Sequence, residues 1–263
     1  MLEMIKKKLR MGVPVIGVHA RSCDSELVEL MARCGNDFIW IEGEHSTLDK
    51  KEIKSHILMA QAGGAAAFVR VAWNDPVLVK PILEVGPDGI VFPMVRTADE
   101  ALSAVKSCMY PPKGIRGFGP QRAMNYGMTP VDEYMATADD NLWKIIQIEH
   151  FKAVENLEEI LEVPDVDAIV VGMMDLSGSI GRLAQLDHPD VSTLMDDIAK
   201  KAAKHQIPLG VSMAYNPKRI AYWIEKGIRW ITVGADVEYV TQEAKSTLKA
   251  VRDMFSDSPR WRG

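Results

Sequence analysis

The sequence predicts a single (β/α)8 barrel, or TIM barrel, over residues 1–263, and three observations support this fold class. Apolar strand candidates alternate with amphipathic helical patterns eight times along the chain. The length of 263 residues is typical of one such barrel. No linker or low-complexity tract interrupts the series. An open, doubly wound sheet is the alternative that the same alternation allows.

The strand candidates are short apolar runs, and helical patterns fill the intervals between them. The runs cover residues 13–20, 37–45, 65–71, 89–95, 142–149, 167–172, 207–214 and 230–236. Several helical patterns stop at a glycine, which readily ends a helix: Gly35, Gly63, Gly86 and Gly227. A short amphipathic helix is predicted over residues 1–11, and a C-terminal helical pattern covers 238–255.

Two connections are longer than simple turns, and long loops in compact domains are usually functional or disordered. Residues 110–130 are rich in Gly, Pro and Arg, and residues 177–190 follow strand six. The second connection is predicted to lie on the rim formed by the carboxyl ends of the strands. The first is predicted to reach either that rim or a neighbouring subunit.

The composition is that of an ordinary globular protein, with 47% hydrophobic and 25% charged residues. A formal net charge of −5 gives no electrostatic case for binding nucleic acid. Cys23, Cys34 and Cys108 form no CxxC pair, which argues against a disulfide framework or a thiolate zinc site. No signal peptide or membrane-spanning stretch is evident, so we expect a soluble cytoplasmic protein that does not bind membranes.

Two carboxylates follow neighbouring strands. Glu149 comes directly after the fifth apolar run and Asp175 shortly after the sixth. Parallel strands joined by a helix lie side by side and point the same way, so both carboxylates emerge at one edge, within reach of one ion. Trp143, Ile145 and Gln147 share a strand face with Glu149, and this face therefore changes from apolar to polar at its carboxyl end.

Other polar side chains stand where barrel active sites are built, at the carboxyl ends of the strands. Taken singly, each has a structural explanation as a helix cap, a solvated side chain or an ion-pair partner. Their convergence on one rim favours a functional site. These residues are His19 on strand one, Glu42, Glu44 and His45 at the end of strand two, Arg70 on strand three, Gln147 on strand five and Ser212 on strand seven.

The chemistry of this set indicates a metal-assisted reaction on a carbonyl compound. Two carboxylates with water suit a hard cation such as Mg²⁺ or Mn²⁺ better than zinc. Arg70 can stabilise negative charge on an oxygen, and His45 can transfer a proton near neutral pH. A Schiff-base mechanism needs a lysine near the rim, but Lys144 lies near the start of its strand.

The chain closely resembles the HpcH/HpaI aldolase/citrate lyase family over nearly its whole length. The motifs that support this are specific in order and spacing. They are IEGEH (41–45), VRVAWNDP (69–76), VGPDGIVFPMV (85–95), YPPKGIRGFGP (110–120), IIQIE (145–149) and GMMDLSGSIG (172–181).

The resemblance implies a class II aldolase that reversibly cleaves a 4-hydroxy-2-oxoacid into pyruvate and an aldehyde through a metal-stabilised enolate. Glu149 and Asp175 would bind the divalent cation, which is Mg²⁺ in the first place, with Mn²⁺ or Co²⁺ as alternatives. Arg70 would steady the enolate and His45 would act as acid and base. The predicted substrate-binding residues are Arg70, Gln147, Met174, Asp175 and Ser212.

Further implications concern two more acids and the assembly. Glu42 is predicted to orient the His45 imidazole, and Glu84 to approach the site of a neighbouring subunit. Both are counted among the predicted catalytic residues. The resemblance also implies a homo-hexamer, a trimer of dimers, in which the C-terminal helix packs on a neighbour.

The sequence departs from the family pattern at three places. Glu42 and Glu84 replace aspartates, and the Met173–Met174 pair replaces smaller residues. The aldehyde component cannot be deduced from the motifs, although Arg116 and Arg122 suggest an anionic or polyhydroxylated one. Two alternative functions remain at this stage: a CoA-ester lyase of the citramalyl or malyl type, and a barrel that binds a ketoacid without turnover.

Overall fold

The computed structural model describes residues 1–255, which form a closed barrel of eight parallel strands. Each strand pairs with the next, and β8 pairs with β1 to close the barrel. This confirms the predicted barrel and rules out the open sheet. The strands are β1 Val15–Ala20, β2 Phe38–Glu42, β3 Ala66–Arg70, β4 Gly89–Phe92, β5 Trp143–Ile148, β6 Ala168–Val171, β7 Leu209–Met213 and β8 Trp230–Ala235.

Helices fill the intervals between strands. The helical pattern over 153–163 forms two short helices separated at Asn156, and the long connections contain helical turns that the sequence analysis did not predict. The helices are α1 Leu2–Arg10, α2 Ser25–Arg33, α3 Lys50–Ala62, α4 Pro76–Leu83, α5 Ala98–Cys108, α6 Val131–Thr137, α7 Phe151–Glu155, α8 Leu157–Leu161, α9 Met173–Ser179, α10 Pro189–His205, α11 Pro217–Glu225 and α12 Asp236–Phe255, with a 3₁₀ segment at Arg122–Gly127.

Side-chain caps fix where the helices start after the first strands. The Asp24 and Asp75 carboxylates accept hydrogen bonds from backbone N–H groups in the first turns of α2 and α4. Asp49 and Thr97 form capping boxes at the starts of α3 and α5. These caps keep the connections at the carboxyl rim short, and the rim therefore holds its side chains in defined positions.

Aromatic rings fill the interior of the barrel from its amino-terminal end to its middle. Phe38, Phe68 and Trp230 pack with ring centroids 5.2 to 5.8 Å apart. Two glycines give these rings room, because a Cβ atom at Gly17 would come 2.4 Å from Phe38 and one at Gly210 would come 2.3 Å from Trp230. The barrel is therefore a packed core and not a pore.

The interior becomes polar one layer above the rings. Side chains two residues apart on a strand share a face, so the residues following Gly17, Trp40, Phe68 and Ile145 at this spacing point into the same interior. They are His19, Glu42, Arg70 and Gln147, which are 5%, 0%, 7% and 2% exposed. The polar layer lies at the carboxyl end of the barrel.

The connection over 110–130 lies at the opposite, amino-terminal end. Arg122 donates hydrogen bonds to Val85 O at 2.8 Å and to Gln61 Oε1 at 2.6 Å, both at the ends of helices that return from the rim. The connection therefore does not reach the rim of its own chain, which was one of its two predicted locations. Contact with a neighbouring subunit, the other location, stays a prediction. In the part of the chain covered by the structure, we find no helix with the length and apolar character needed to cross a membrane.

Candidate active site

A buried ion pair between β2 and β3 occupies the centre of the polar layer. Arg70 Nε donates to Glu42 Oε1 at 3.0 Å, and Nη2 bonds to Glu42 Oε2. Arg70 Nη1 lies 2.9 Å from Glu44 Oε2 and 3.4 Å from Gln147 Oε1. The two glutamates therefore fix the plane of the guanidinium. Its remaining nitrogen, Nη1, lies between Glu44 and Gln147 on β5.

Glu42 makes a different contact with His45 from the predicted one. The sequence analysis predicts that Glu42 orients the imidazole, but Glu42 Oε1 accepts from the backbone N–H groups of Glu44 at 2.9 Å and His45 at 3.1 Å. The His45 side chain is 61% exposed, and its Nε2 lies 3.7 Å from Glu44 Oε2. Burial alone would raise the pKa of Glu42, but the Arg70 charge and these hydrogen bonds outweigh it and lower that pKa.

Glu44 is part of the rim expected at the end of strand two, but no role was predicted for it. Its carboxylate lies between Arg70 and His45. Burial raises its pKa to about 7, partly offset by Arg70 and reinforced by the negative charges of Glu149, Glu42 and Asp175. A signal for it exists in the sequence, because Glu44 follows Glu42 by two residues in a segment that runs on from a strand.

Glu149 is held at the end of β5 by groups on two other segments. Its Oε1 accepts from the Met94 backbone N–H at 2.6 Å, and its Oε2 bonds to Gln147 Nε2. The Met94 backbone is left-handed, with φ at 58°. Across from Glu149 stands Gly172, where a Cβ atom would lie 2.7 Å from Glu149 Oε2. Gly172 therefore leaves space beside the carboxylate.

Asp175 lies in the first turn of α9 and is exposed, whereas Glu149 is 2% exposed. Burial raises the pKa of Glu149, hydrogen bonds and Arg70 oppose this, and the Asp175 charge adds to it. The two carboxylates thus share one electrostatic environment, which a divalent cation would relieve. The structure is consistent with a site that has two protein ligands and completes its coordination with water and substrate, as Mg²⁺ sites often do. Within residues 1–255 no cluster of three or more His, Cys, Asp or Glu side chains suited to a metal is found.

One cavity of about 180 Å³ at the mouth of the barrel collects most of the predicted site residues. His19 on β1 and Ser212 on β7 also line this cavity, and the His19 Nε2 and Ser212 Oγ atoms are 2.7 Å apart. The residues of the predicted site that line this cavity are His45, Arg70, Gln147, Met174, Asp175 and Ser212.

Glu84 lies at the opposite end of the barrel. It follows the last residue of α4, and both of its carboxylate oxygens are buried without a hydrogen bond. Arg116 Nη2 lies 3.7 Å from Glu84 Oε1 and donates to Leu83 O at 3.2 Å. Glu84 therefore takes no part in the candidate site of its own chain. Arg116 and Arg122 lie at the same end of the barrel as Glu84 and do not line the cavity where the aldehyde component would bind.

A larger cavity of about 480 Å³ also lies at the amino-terminal end, between α1, α10 and β8. Its basic residues bond to other protein groups: Lys226 Nζ to Asp196 Oδ1 at 2.8 Å, and Arg229 Nε to Gly12 O at 3.0 Å. The carboxyl-end cavity, although smaller, combines the Asp175 carboxylate with the Arg70 guanidinium and the imidazoles of His19 and His45, and it is the candidate active site.

Comparison with known proteins identifies the family of this chain. The family model described as HpcH/HpaI aldolase/citrate lyase matches residues 16–242. A 4-hydroxy-2-oxo-heptane-1,7-dioate aldolase from Klebsiella pneumoniae is 32% identical over 246 residues, covering 94% of this chain and 92% of the relative.

Solved structures give the same result. The HpcH/HpaI aldolase from Desulfitobacterium hafniense superposes with a TM-score of 0.88 at 27% identity, covering 94% of this chain and 96% of the other. An HpcH/HpaI aldolase/citrate lyase family protein from Burkholderia cenocepacia gives a TM-score of 0.88 at 30% identity, with 95% and 99% coverage.

The closed barrel with a charged rim defines a barrel enzyme, and the similarity to named aldolases places it among the carbon–carbon lyases. The chain belongs to the HpcH/HpaI aldolase/citrate lyase family. This is a family of class II pyruvate aldolases that generally depend on a divalent metal.

The raised pKa of Glu44 predicts a pH dependence of stability in the metal-free protein. Because the folded pKa of about 7 exceeds the ordinary value of 4.5, the stabilising contribution of protonated Glu44 is complete below about pH 4.5 and is lost as the pH rises through 7. The free energy of unfolding in urea should therefore fall more between pH 5 and pH 8 for wild type than for Glu44→Gln. Glu225→Gln, on the surface of α11, should behave as wild type. Parallel pH profiles for wild type and Glu44→Gln would contradict the shift.

Proposed function

We propose that the protein is a divalent-metal-dependent aldolase that reversibly cleaves a 4-hydroxy-2-oxoacid into pyruvate and an aldehyde. The observation that supports this most directly is the fixed Arg70 guanidinium, held by Glu42 and Glu44 beside Gln147. Such a group suits a reaction in which negative charge develops on one oxygen. Glu149 and Asp175 would hold the cation, which supplies Lewis-acid polarisation of the keto group when bound.

In the cleavage direction, the substrate hydroxyl at C4 loses its proton and the C3–C4 bond breaks. The electron pair of that bond forms the C2–C3 double bond of the pyruvate enolate, and C3 is then protonated. Arg70 stabilises the charge on the C2 oxygen. His45, exposed at the rim with Glu44 3.7 Å away, accepts and returns the proton. In its ionised form Glu44 supports the protonated imidazole, a role that was predicted for Glu42.

The pyruvate part of the substrate binds on the side of the cavity formed by β3, β5 and α9. Gln147 and the backbone around Met174 and Asp175 line that side, and Ser212 lines the cavity from β7, the strand next to β6. A Schiff-base mechanism finds no support, because Lys144 Nζ pairs with Asp167 Oδ2 at 2.8 Å below the polar layer.

We also propose that α12 packs on another copy of this chain, as expected for the hexamer. Asp236 is the only residue of α12 that is buried among those described. An exposed apolar stripe with helical spacing runs along the helix: Val237, Val240, Leu248 and Val251. A helix with such a stripe is stabilised by burying it against a partner.

Two alternative functions are weighed against this proposal. The CoA-ester lyase is disfavoured because the relative from Klebsiella pneumoniae is named as an aldolase of 4-hydroxy-2-oxo-heptane-1,7-dioate and not of a CoA ester. A ketoacid-binding barrel without turnover has no need for an exposed histidine beside an acid. Both alternatives predict that free 4-hydroxy-2-oxoacids are not cleaved.

The metal and the reaction are tested together. Pyruvate release from a panel of 4-hydroxy-2-oxoacids, followed by a coupled assay, should disappear after exhaustive chelation and return with Mg²⁺, Mn²⁺ or Co²⁺, since two carboxylates bind such cations. Glu149→Gln should show weaker cation binding by calorimetry. Full activity after chelation, with trapping by borohydride in the presence of pyruvate, would identify a Schiff-base enzyme and overturn the proposal.

Arg70 should be needed for enolate formation. Arg70→Ala is expected to lose roughly 10²–10³-fold in kcat, which is the scale for one oxyanion donor. Arg70→Lys should recover only part of this, because an ammonium group cannot reproduce the two parallel hydrogen bonds by which the planar guanidinium is held to Glu42. The rate of deuterium exchange into the pyruvate methyl group measures this step directly. Normal exchange in the alanine variant would exclude the role.

Glu42 should act mainly through Arg70. In Glu42→Gln the side chain has one acceptor oxygen in place of two, and kcat/KM should fall by about 10²-fold, the scale for misplacing a catalytic group by roughly 1 Å. Glu42→Asp keeps the charge and should lie between wild type and Glu42→Gln. Cation affinity is measured alongside. Equal kcat/KM for Glu42→Gln and wild type would mean that this carboxylate positions nothing in the site.

The oligomer proposal predicts that a charge on the α12 stripe reduces the assembly. Val240→Glu should lower the mass measured by light scattering, because the introduced carboxylate would be buried unpaired at the interface. Ser246→Glu adds the same charge on the opposite face and should leave the mass unchanged. A monomeric wild type, or equal masses for all three proteins, would contradict the interface.

A further inference from the structure

A hydrogen bond between His19 and Ser212 crosses the mouth of the barrel and has no part in the reaction described so far. The two residues lie on β1 and β7, which are not neighbours in the sheet because β8 lies between them. Their Nε2 and Oγ atoms are 2.7 Å apart. Both residues line the active-site cavity, and His19 is only 5% exposed.

The surroundings of His19 determine which atom donates this hydrogen bond. Burial, outweighing the nearby Glu42 charge, lowers the pKa of His19 to about 3, so the imidazole is neutral and has a single N–H group. Its Nδ1 makes no hydrogen bond and lies 3.8 Å from Glu42 Oε2. The negative carboxylate favours the proton on Nδ1, which leaves Nε2 as an acceptor.

Ser212 must then donate its one hydroxyl hydrogen to His19. The remaining lone pairs of Ser212 Oγ are acceptors, and Ser212 is half-buried in the cavity wall. The pair therefore presents a fixed acceptor to a ligand in the cavity. A ligand hydroxyl can donate to it, whereas an alkyl group of the same size cannot.

The position of the pair indicates which part of the substrate meets it. Arg70 and Gln147 project from β3 and β5, and Asp175 follows β6. If the proposed function is correct, pyruvate occupies that side, and the aldehyde-derived part extends toward β1 and β7. We propose that the His19–Ser212 pair binds a hydroxyl group next to the aldehyde carbon, and that the natural substrates are adducts of pyruvate with hydroxyaldehydes.

The test uses two substrates that differ only in this group. 4,5-Dihydroxy-2-oxopentanoate is the adduct of glycolaldehyde, and 4-hydroxy-2-oxohexanoate, the adduct of propanal, has a methyl group in place of the terminal hydroxyl. Wild type should show a kcat/KM roughly 10-fold higher for the first, as expected for one hydrogen bond of about 1.4 kcal/mol. Ser212→Ala should bring the ratio of the two kcat/KM values close to one.

Variants of His19 separate its positioning role from a merely structural one. His19→Gln keeps an acceptor oxygen for the Ser212 hydroxyl and should retain more of the substrate preference than His19→Phe. Combining His19→Phe with Ser212→Ala should lower the ratio no further than Ser212→Ala alone, because the two residues act as one unit. Thr232→Val removes a buried hydroxyl on the neighbouring strand β8 and should leave the ratio as in wild type.

The outcomes distinguish this inference from the proposed function. If wild type neither cleaves either substrate nor exchanges pyruvate methyl protons, the proposed function fails. If wild type does both but prefers the alkyl substrate, treats the two equally, or prefers the carboxylate-bearing adduct of succinic semialdehyde, the hydroxyl site is wrong and the aldolase assignment stands. A preference for the hydroxylated substrate that survives Ser212→Ala would also overturn the site.

Discussion

The buried ion pair of Glu42 with Arg70 is the interaction on which the rest of the site depends. Removing two charges from water costs several kcal/mol for each ion, and attraction between them offsets this only when the remaining donors and acceptors are also bonded. Here Glu42 accepts from two Arg70 nitrogens and from two backbone N–H groups of the following turn. The same bonds therefore fix the guanidinium and the start of the loop that presents His45.

The height of this pair in the barrel is set by packing below it. Trp40 on β2 and Phe68 on β3 belong to the aromatic core, and the next inward-facing residues are Glu42 and Arg70. Register places these residues side by side, with Glu42 opposite Arg70 on neighbouring strands. The aromatic layer thus determines where the polar layer begins, and a slip of one residue in either strand would turn the charge on that strand outward.

Much of this architecture can be predicted from the sequence because it follows from periodicity. Alternating strands and helices predict the barrel, and strand ends predict the rim that contains Arg70, Gln147 and Asp175. The location of Glu84 could also have been predicted. Glu84 ends a helical pattern that follows strand three, and a helix that runs antiparallel to the strands must end at the opposite face of the barrel.

The hydrogen-bond partners of the side chains were harder to predict, because they depend on side-chain length and conformation and not on the spacing of residues along the sequence. A glutamate three residues before a histidine suggests a dyad, yet the Glu42 carboxylate turns toward the adjacent strand and bonds to Arg70. The contact between His19 and Ser212 joins residues 193 positions apart on strands that do not pair, and only closure of the barrel brings them together. Glu44 shows the same limit, since its ion-pair partner Arg70 lies on another strand, β3.

The indole of Trp40 is the floor of the active-site cavity. It lies 5.0 Å from the His19 ring and 5.6 Å from the Arg70 guanidinium carbon, and it makes no hydrogen bond through Nε1. The floor therefore contacts the reacting groups through dispersion and ring electrostatics, without a directional bond. One indole thus bounds the cavity and also contacts the Arg70 guanidinium by a cation–π interaction, so a smaller side chain at position 40 would deepen the cavity and remove that contact together.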